Sequence, residues 1–247
     1  MKVAIIPDVH EKLDRLDNLV LDDADHEIYL GDWFDSFAAF DEDRIRHTCD
    51  IINNLAQRED VTLLLGNHDV HYFFDNTGYT CSGYELRKKR IIKHLIPEET
   101  ILKFKVFTRV GPYLVSHAGF CEGTLQYATD LVANEAIRTS LAGGYDALFG
   151  AGKARGGYQK FGGPTWLDFN YEFEHIDDIP QIVGHTQDKA VRAKGKTQAA
   201  SKVDEDGNII VDVGLMSYCI DTGLRHWALV DDETGAIEII DNNRELI

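Results

Sequence analysis

Five short apolar runs in this sequence each end in a group of carboxylate, imidazole or amide side chains. This recurring pattern constrains the fold more than any other feature. The groups, in chain order, are Asp8-Val9-His10, Gly31-Asp32-Trp33-Phe34-Asp35, Gly66-Asn67-His68-Asp69, His117-Ala118-Gly119 and Gly184-His185-Thr186. Short apolar runs of this kind are consistent with buried strands. Because ligands of α/β sheets bind beyond the carboxyl ends of the strands, we expect the five groups to meet at one site.

The arrangement of the runs predicts an α/β core. Strands are predicted over Lys2–Ile6, Glu27–Leu30, Val61–Leu65, Tyr113–Ser116 and Gln181–Val183, and helices over Leu13–Leu21, Asp43–Gln57, Glu85–His94 and Leu125–Leu141. The alternation favours βαβ units with parallel strands. Two C-terminal stretches predict antiparallel hairpins, one turning at Asp206-Gly207 or Gly207-Asn208 and one near Thr234-Gly235. We expect a single layered domain over residues 1–247.

The segment 143–163 differs in composition from the rest of the chain. Its many glycines are interleaved with Lys153, Arg155 and Lys160. A glycine-rich basic segment of this length predicts a mobile loop, and long loops in compact domains are often functional. The stretch "GKARGG" is not a phosphate-binding P-loop, because no Ser or Thr follows Lys153 and the preceding glycine spacing differs.

Charge and composition exclude several classes of function. A hydrophobic content of 44% with 27% charged residues is typical of a folded globular protein. The formal net charge of −17 argues against broad binding to nucleic acids or anionic membranes. The N-terminal apolar run is too short for a signal peptide, and no stretch approaches the ~18 apolar residues of a membrane span. The cysteines Cys49, Cys81, Cys121 and Cys219 lack CxxC spacing, so we expect reduced thiols in a cytoplasmic protein.

The side chains gathered at the strand ends are suited to divalent metal ions. They offer carboxylate, imidazole and amide ligands but no thiolate, a mixture that suits Mn²⁺, Fe²⁺ or Zn²⁺ better than a structural zinc cage. Six candidate ligands are too many for one open catalytic ion and about right for two, with Asp32 as the bridge. Two ions ~3.5–4 Å apart can clamp a phosphoryl group and generate hydroxide at neutral pH.

The ordered motifs D-x-H, G-D-x-x-D, G-N-H-[DE], H-x-G and G-H-T resemble those of the calcineurin-like metallophosphoesterase superfamily, over residues 8–223. The single histidine of "VGHTQ" resembles the phosphoprotein phosphatase branch in its bacterial and phage form, since nuclease-like branches carry a second histidine where this chain has Gln187. "CIDTG", residues 219–223, also resembles symmetrical dinucleoside tetraphosphatases. The resemblance implies a layered fold in which central mixed β-sheets form a β-sandwich flanked by helices.

The resemblance also implies roles for the motif residues. Two divalent ions would be bound, with Mn²⁺ as the expected ion and Fe or Zn as alternatives. The first ion would be held by Asp8, His10, Asp32 and His185. The second would be held by Asp32, Asn67 and His117. His68, oriented by Asp35, would protonate or stabilise the leaving oxygen, while metal-bound hydroxide attacks the phosphorus without a phosphoenzyme intermediate.

One position departs from the family pattern. Phosphoprotein phosphatases have a phosphate-gripping arginine after the second aspartate of G-D-x-x-D, where this chain has Ser36. A hydroxyl cannot make the bidentate, charge-assisted bonds of a guanidinium. The candidates to replace it are Arg155, Lys153 and Arg192. The stretch "GGPTWLDF", residues 162–169, resembles the tryptophan-containing segment before the last metal histidine of the family.

Each motif also has a structural explanation. Asp8-Val9-His10 and Asn67 could be turn residues, Asp32 and Asp35 helix caps, and His185-Thr186 a core pair. We interpret Asp69 as a local hydrogen-bonding group. The remaining histidines are assigned to surface or structural positions: His26, His47, His71, His94, His175 and His226. The basic run Leu86–His94 is interpreted as a solvated helix face, with substrate contact as the alternative.

The leading functional prediction is a metal-dependent phosphatase for phosphomonoesters of proteins or small molecules. The alternative is a symmetrical dinucleoside polyphosphate or nucleotide hydrolase, favoured by residues 219–223. A phosphodiesterase or nuclease ranks third, because the chain is acidic and has Gln187 in place of a second histidine. A non-enzymatic binding module on this fold would have lost metal ligands, and the sequence retains all of them.

Overall fold

The computed structural model describes residues 1–195, 199–203, 209–213 and 215–242. The strands are β1 (Lys2–Ile6), β2 (His26–Tyr29), β3 (Val61–Leu63), β4 (Phe107–Val110), β5 (Tyr113–Ser116), β6 (Gln181–Val183), β7 (Arg192–Lys194), β8 (Ala199–Val203), β9 (Ile209–Val213), β10 (Ser217–Cys219), β11 (His226–Asp231) and β12 (Ile237–Asp241). The α-helices are α1 (Leu13–Asp17), α2 (Glu42–Leu55), α3 (Asn67–Phe73), α4 (Leu86–Leu95), α5 (Glu98–Ile101), α6 (Glu122–Leu125) and α7 (Asp130–Leu141). None of these helices combines the length and apolarity that crossing a bilayer requires.

Two five-stranded mixed sheets form the centre of the fold. The first has the order β12-β11-β1-β2-β3 and the second the order β4-β5-β6-β10-β7. In the first sheet β1, β2 and β3 are parallel, while β11 and β12 are antiparallel additions. In the second sheet β5, β6 and β10 are parallel. Each sheet therefore contributes three parallel strands whose carboxyl ends emerge at one edge.

Strand β1 shows why its sequence is apolar without alternation. Val3 and Ile5 pack in the core between the two sheets, together with residues of the second sheet such as Ile182. Ala4 and Ile6, on the opposite face, pack against the helical layer. A strand that is buried on both faces needs apolar residues at successive positions. The predicted layered α/β sandwich of mixed sheets flanked by helices is thus confirmed.

The predicted strands agree with the structure to within two residues, but the helices differ more. The helix predicted over Leu125–Leu141 begins later, at Asp130 of α7, because Thr129 caps α7 by accepting a hydrogen bond from the Val132 N–H at 3.4 Å. Leu125 is instead the last residue of the short helix α6. Helix α1 ends earlier than predicted, at Asp17. Helix α3 was not predicted, since its first residues, "NHD", were interpreted as a strand exit. It places Asn67 and His68 at a helix N-terminus.

The predicted C-terminal hairpins are found where the structure describes them. Strands β11 and β12 pair antiparallel around Gly235, which has a φ of 71°, so this hairpin is confirmed. Strands β8 and β9 also pair antiparallel. The predicted turn at Asp206-Gly207 or Gly207-Asn208 lies outside the described residues.

The glycine-rich segment 143–163 is folded rather than open. It contains two short 3₁₀ turns, Ala147–Phe149 and Lys153–Arg155, and it buries Leu148 and Phe149. Its glycines allow close backbone approach, since a Cβ on Gly163 would lie 1.9 Å from the Leu148 carbonyl oxygen. The glycine content therefore has a packing explanation, and the predicted mobility stays a prediction.

Candidate metal centre

The five strand ends converge on one cavity of about 800 Å³. Strands β1, β2 and β3 lead to the first three groups, and β5 and β6 lead to the last two. Five of the predicted ligand and catalytic residues line the cavity: His10, Asp32, Asn67, His68 and His185. Asp8, Asp35 and His117 are completely buried around them. All eight predicted ligand and catalytic residues therefore lie in one cluster, although they come from strand ends spread over most of the chain.

Asp32 occupies the centre of this cluster. Its Oδ2 lies 3.6 Å from His10 Nε2 and 3.5 Å from His117 Nε2. Its Oδ1 accepts a hydrogen bond of 2.8 Å from the backbone N–H of His68, in the first turn of α3. One carboxylate oxygen is thus held by the protein, while the other faces imidazoles from two different sheets. This position suits a bridging ligand.

The hydrogen bonds of His10 and His117 indicate that a cation belongs between the rings and Asp32. His10 Nδ1 lies 2.9 Å from the Phe34 carbonyl oxygen, and His117 Nδ1 lies 2.9 Å from that of Leu30. A carbonyl can only accept, so each Nδ1 donates and each neutral ring presents the Nε2 lone pair to the carboxylate. Lone pairs facing an acceptor oxygen repel each other unless a cation lies between them. The donor set therefore fits divalent metal ions.

His185 groups with Asn67 and His117. Its Nδ1 lies 2.8 Å from Asn67 Oδ1 and 3.2 Å from His117 Nε2, while only its backbone N–H reaches Asp8, at 3.0 Å. The resemblance had assigned His185 to the first ion, beside Asp8. In the structure the ring turns away from Asp8 and lies beside Asn67 and His117, the residues expected at the second ion.

Burial favours the protonation state that metal binding requires in the imidazoles and opposes it in the carboxylates. Burial lowers the pKa of His10 and His185 and brings that of His117 to about 3, so these rings are neutral. Burial and neighbouring carboxylates raise the pKa of Asp8 and Asp32. A neutral imidazole and an ionised carboxylate are the forms that bind metals, and a bound cation would offset the cost of burying the carboxylates.

Four of the clustered residues have left-handed backbone conformations. The φ values are 48° for His10, 51° for Asp32, 69° for Asp35 and 65° for His185. Positive φ is uncommon outside glycine, although Asp and His adopt it more often than most residues. Conformations of this kind persist where the surrounding structure enforces them, and they concentrate at functional sites. The backbone is bent at each strand end to aim the side chain inward.

Two glycines of the motifs are required by close contact with the carboxylates. A Cβ on Gly66 would lie 2.1 Å from Asp32 Oδ1, and a Cβ on Gly184 would lie 2.1 Å from Asp8 Oδ1. No side chain fits at either position without displacing a candidate ligand. These glycines therefore allow the chain to pass directly over the two aspartates.

His68 and Asp35 form a hydrogen-bonded pair beside the cluster, with 2.8 Å between His68 Nδ1 and Asp35 Oδ2. Asp35 also accepts from His71 Nε2 at 3.1 Å, Tyr72 Oη at 2.6 Å and Lys88 Nζ at 2.8 Å. Burial alone would raise the pKa of Asp35, but the hydrogen bonds from His68, His71 and Lys88 hold it well below its usual range. Asp35 is therefore an ionised, fully hydrogen-bonded anchor for His68.

Three donors to Asp35 were not predicted from the sequence: His71, Tyr72 and Lys88. His71 is buried at the site, and Lys88 and Lys89 of the run interpreted as a solvated face are buried as well. Helical spacing could have found two donors, because His71 and Tyr72 follow His68 at i+3 and i+4. The interpretation of Asp69 is confirmed: it accepts from the backbone N–H groups of Asp32, Trp33 and Gly66.

The three candidate cations have different positions. Arg155 lines the cavity, with its Nε 2.7 Å from Asp168 Oδ2 and an Nη donating to Thr186 Oγ1 at 2.9 Å. Arg192 is not among the residues that line the cavity. It donates to Asn170 Oδ1 at 2.6 Å and to the Thr186 carbonyl oxygen. Lys153 is exposed and also does not line the cavity.

Two further cavity residues were not predicted. Lys12 lies two residues after His10 of the first motif and lines the cavity. Asp221 follows β10, the third parallel strand of the second sheet, and accepts from the Gly223 N–H at 3.0 Å. The apolar run before Asp221 ends like the other five, so the same signal could have identified it. Trp166 also lines the cavity, and its ring lies 5.9 Å from that of His185.

The chain is similar to known proteins in sequence and in fold. The sequence model of the family described as calcineurin-like phosphoesterase matches residues 1–188. No curated protein matches the chain significantly. The cold-active protein-tyrosine phosphatase of a psychrophilic Shewanella species is similar in structure, with a TM-score of 0.52 and 17% identity over 97% of this chain and 80% of that one. A metallophosphoesterase from Sphaerobacter thermophilus has a TM-score of 0.47 and 16% identity over 98% and 88%.

Proposed function

Because this chain belongs to the calcineurin-like phosphoesterase family and is therefore a hydrolase of phosphoester bonds, we propose that it is a phosphomonoester phosphatase with a dinuclear metal site. The observation that carries the proposal is the cluster around Asp32. Imidazoles from two sheets direct their Nε2 atoms at one carboxylate oxygen, at 3.6 and 3.5 Å.

The ligands divide into two sets that share Asp32. Asp8 and His10 would hold one ion with it, and Asn67, His117 and His185 the other. We propose Mn²⁺ as the ion, since oxygen and imidazole ligands without thiolate suit it. Bound ions would supply Lewis acidity toward the phosphoryl oxygens and acidify water at neutral pH. Their charge also explains how a chain of net charge −17 can attract a phosphate.

His68 is the proposed proton donor to the leaving oxygen. Its Nδ1 is engaged by Asp35, which fixes the ring and stabilises positive charge on it. The other ring nitrogen is then left to act in the cavity that His68 lines. Lys88 supports this role indirectly, because its ammonium group, 2.8 Å from Asp35, keeps the carboxylate ionised.

Arg155 is the proposed phosphate ligand in place of the arginine missing at Ser36. It enters the cavity from the glycine-rich segment and is held in position by Asp168 and Thr186. A guanidinium so oriented can donate to the nonbridging oxygens of a phosphoryl group. Lys12 adds a second positive charge to the cavity.

The proposal is tested by removing metal with a chelator and reloading the protein with Mn²⁺, Fe²⁺ or Zn²⁺. Each form is assayed on p-nitrophenyl phosphate, bis-p-nitrophenyl phosphate, a phosphopeptide and diadenosine tetraphosphate. We expect metal-dependent hydrolysis of the monoesters, with two ions bound per chain. Preferential cleavage of diadenosine tetraphosphate would favour a dinucleoside polyphosphate hydrolase, and cleavage of the diester alone would favour a phosphodiesterase. Activity that is independent of metal would refute the dinuclear site.

A further inference from the structure

Phe37 is an exposed aromatic residue at the cavity in a backbone conformation that phenylalanine rarely adopts. Phe37 is 61% exposed, and its φ is 59°. The left-handed region is unfavourable for a bulky residue, and exposure of the ring to water adds no stabilisation. Such a conformation is characteristic of residues held at ligand-binding sites. Phe37 therefore calls for an explanation other than folding.

The position of Phe37 singles it out among apolar surface residues. Of the exposed large apolar residues in the described part of the chain, Phe37 alone lines the cavity. Its ring centroid lies 5.6 Å from that of His68, with the planes at 83°, and 5.4 Å from that of His10. Phe37 thus extends the wall formed by the proposed proton donor.

The other two large aromatic residues that line the cavity contact each other, and one of them contacts His185 instead of His68. The Trp166 ring is 5.9 Å from His185, and the Tyr79 ring is 5.2 Å from Trp166. His68 is the residue assigned to the leaving oxygen, so the group attached to that oxygen extends from His68. The aromatic side chain that it meets there is Phe37.

We propose that Phe37 selects phosphomonoesters whose leaving group is aromatic, such as the phenol of phosphotyrosine. This inference rests on the proposed function, because it uses the assignment of His68 to the leaving oxygen. A planar ring packed against Phe37 removes apolar surface of both from water and adds a favourable ring–ring contact. A short alkyl leaving group, such as that of phosphoserine, covers much less of the Phe37 ring.

The test compares O-phosphotyrosine with O-phosphoserine as substrates of the full chain loaded with Mn²⁺. The readout is kcat/KM for O-phosphotyrosine divided by kcat/KM for O-phosphoserine. This ratio is compared between each variant and the unmodified protein, so the greater intrinsic reactivity of aryl esters cancels. We expect Phe37→Ala to lower this ratio about tenfold, because the variant loses one ring–ring contact and the apolar area that this contact buries. Phe37→Trp should preserve it, because the indole offers an equivalent face.

Controls separate this inference from the proposed function. Leu131→Ala removes another exposed apolar side chain, 81% exposed and not among the cavity-lining residues, and should leave the ratio unchanged. If Phe37→Ala fails to fold, Phe37→Leu retains apolar bulk without a ring and should lower the ratio too. An unchanged ratio in folded Phe37→Ala overturns the role of Phe37 while the phosphatase stands. Absence of hydrolysis of every ester with every metal overturns the proposed function itself.

Discussion

The side-chain amide of Asn67 donates a hydrogen bond to Cys81 Sγ across 2.9 Å, and the Cys81 thiol lies 3.3 Å from the Asn67 carbonyl oxygen. This contact orients the amide so that its Oδ1 faces His117 and His185, at 3.0 and 2.8 Å. An amide that is free to rotate could present its NH₂ group to the metal instead. Cys81 therefore holds the Asn67 amide in the orientation that its proposed role as a ligand requires.

Replacing Cys81 should weaken metal binding without removing a ligand. We expect Cys81→Ala to lower Mn²⁺ affinity about tenfold, because groups that orient metal ligands typically contribute 10- to 100-fold. Cys81→Ser should recover part of the loss, since a hydroxyl can still accept from the amide. Isothermal titration calorimetry measures the affinity. Cys49→Ala, a buried thiol in the helical core, is the matched control, and an equal loss there would show that the effect is general destabilisation.

Replacing His68 should separate turnover from metal binding. We expect His68→Asn to retain both metal ions and to lose about 10²- to 10⁴-fold in kcat, the usual contribution of a general acid. Metal content by elemental analysis and steady-state kinetics give the two readouts. Loss of one ion from this variant would instead make His68 a metal ligand and would contradict its assignment as proton donor.

Replacing Arg155 should impair phosphate binding. We expect Arg155→Ala to lower kcat/KM for p-nitrophenyl phosphate at least about tenfold, since a hydrogen bond to a charged group contributes about 1.5–3 kcal/mol. Inhibition by inorganic phosphate should weaken in parallel. Lys160→Ala, an exposed cation of the same glycine-rich segment, is the control and should leave both parameters unchanged. Unaltered kinetics of Arg155→Ala would leave Lys12 as the candidate.

Replacing Lys88 should destabilise the fold through Asp35. The Lys88 and Asp35 side chains are 5% and 0% exposed, and breaking a buried pair from one side typically costs about 3–5 kcal/mol. We expect Lys88→Met to lower the free energy of unfolding by about 3 kcal/mol. This value is at the lower end of the range because Asp35 keeps His68, His71 and Tyr72 as donors. Urea denaturation measures the change.

The same helix provides the control for Lys88. Lys93 pairs with Asp75 at 2.7 Å, but the two side chains are 42% and 65% exposed. An exposed pair contributes about 0–1 kcal/mol, so Lys93→Met should have a small effect. Equal destabilisation by the two variants would mean that the buried Lys88–Asp35 pair contributes no more to the free energy of unfolding than the exposed Lys93–Asp75 pair.

The strand ends and the identity of the clustered side chains could be predicted from the sequence. An apolar run such as that within Lys2–Ile6 indicates a buried strand. The residues that follow the run lie at the end of that strand, whichever position the strand has in the sheet. This local property predicted Asp8, Asp32 and His117 at one place, and the structure brings the three side chains together. The sequence pattern also contained Asp221, although residues 219–223 were used only for the resemblance and not as a sixth strand end.

Only the tertiary structure decided which of these side chains meet. The grouping of His185 with Asn67, across 118 residues, depends on how the two sheets pack and on which way a strained strand end turns the ring. Packing of distant segments also decides the contact of Lys88 with Asp35 and the contact of Phe37 with His68. Periodicity in a sequence reports whether a side chain is buried, but not what it is buried against. Partners distant in sequence follow from strand order and packing, and these belong to the chain as a whole.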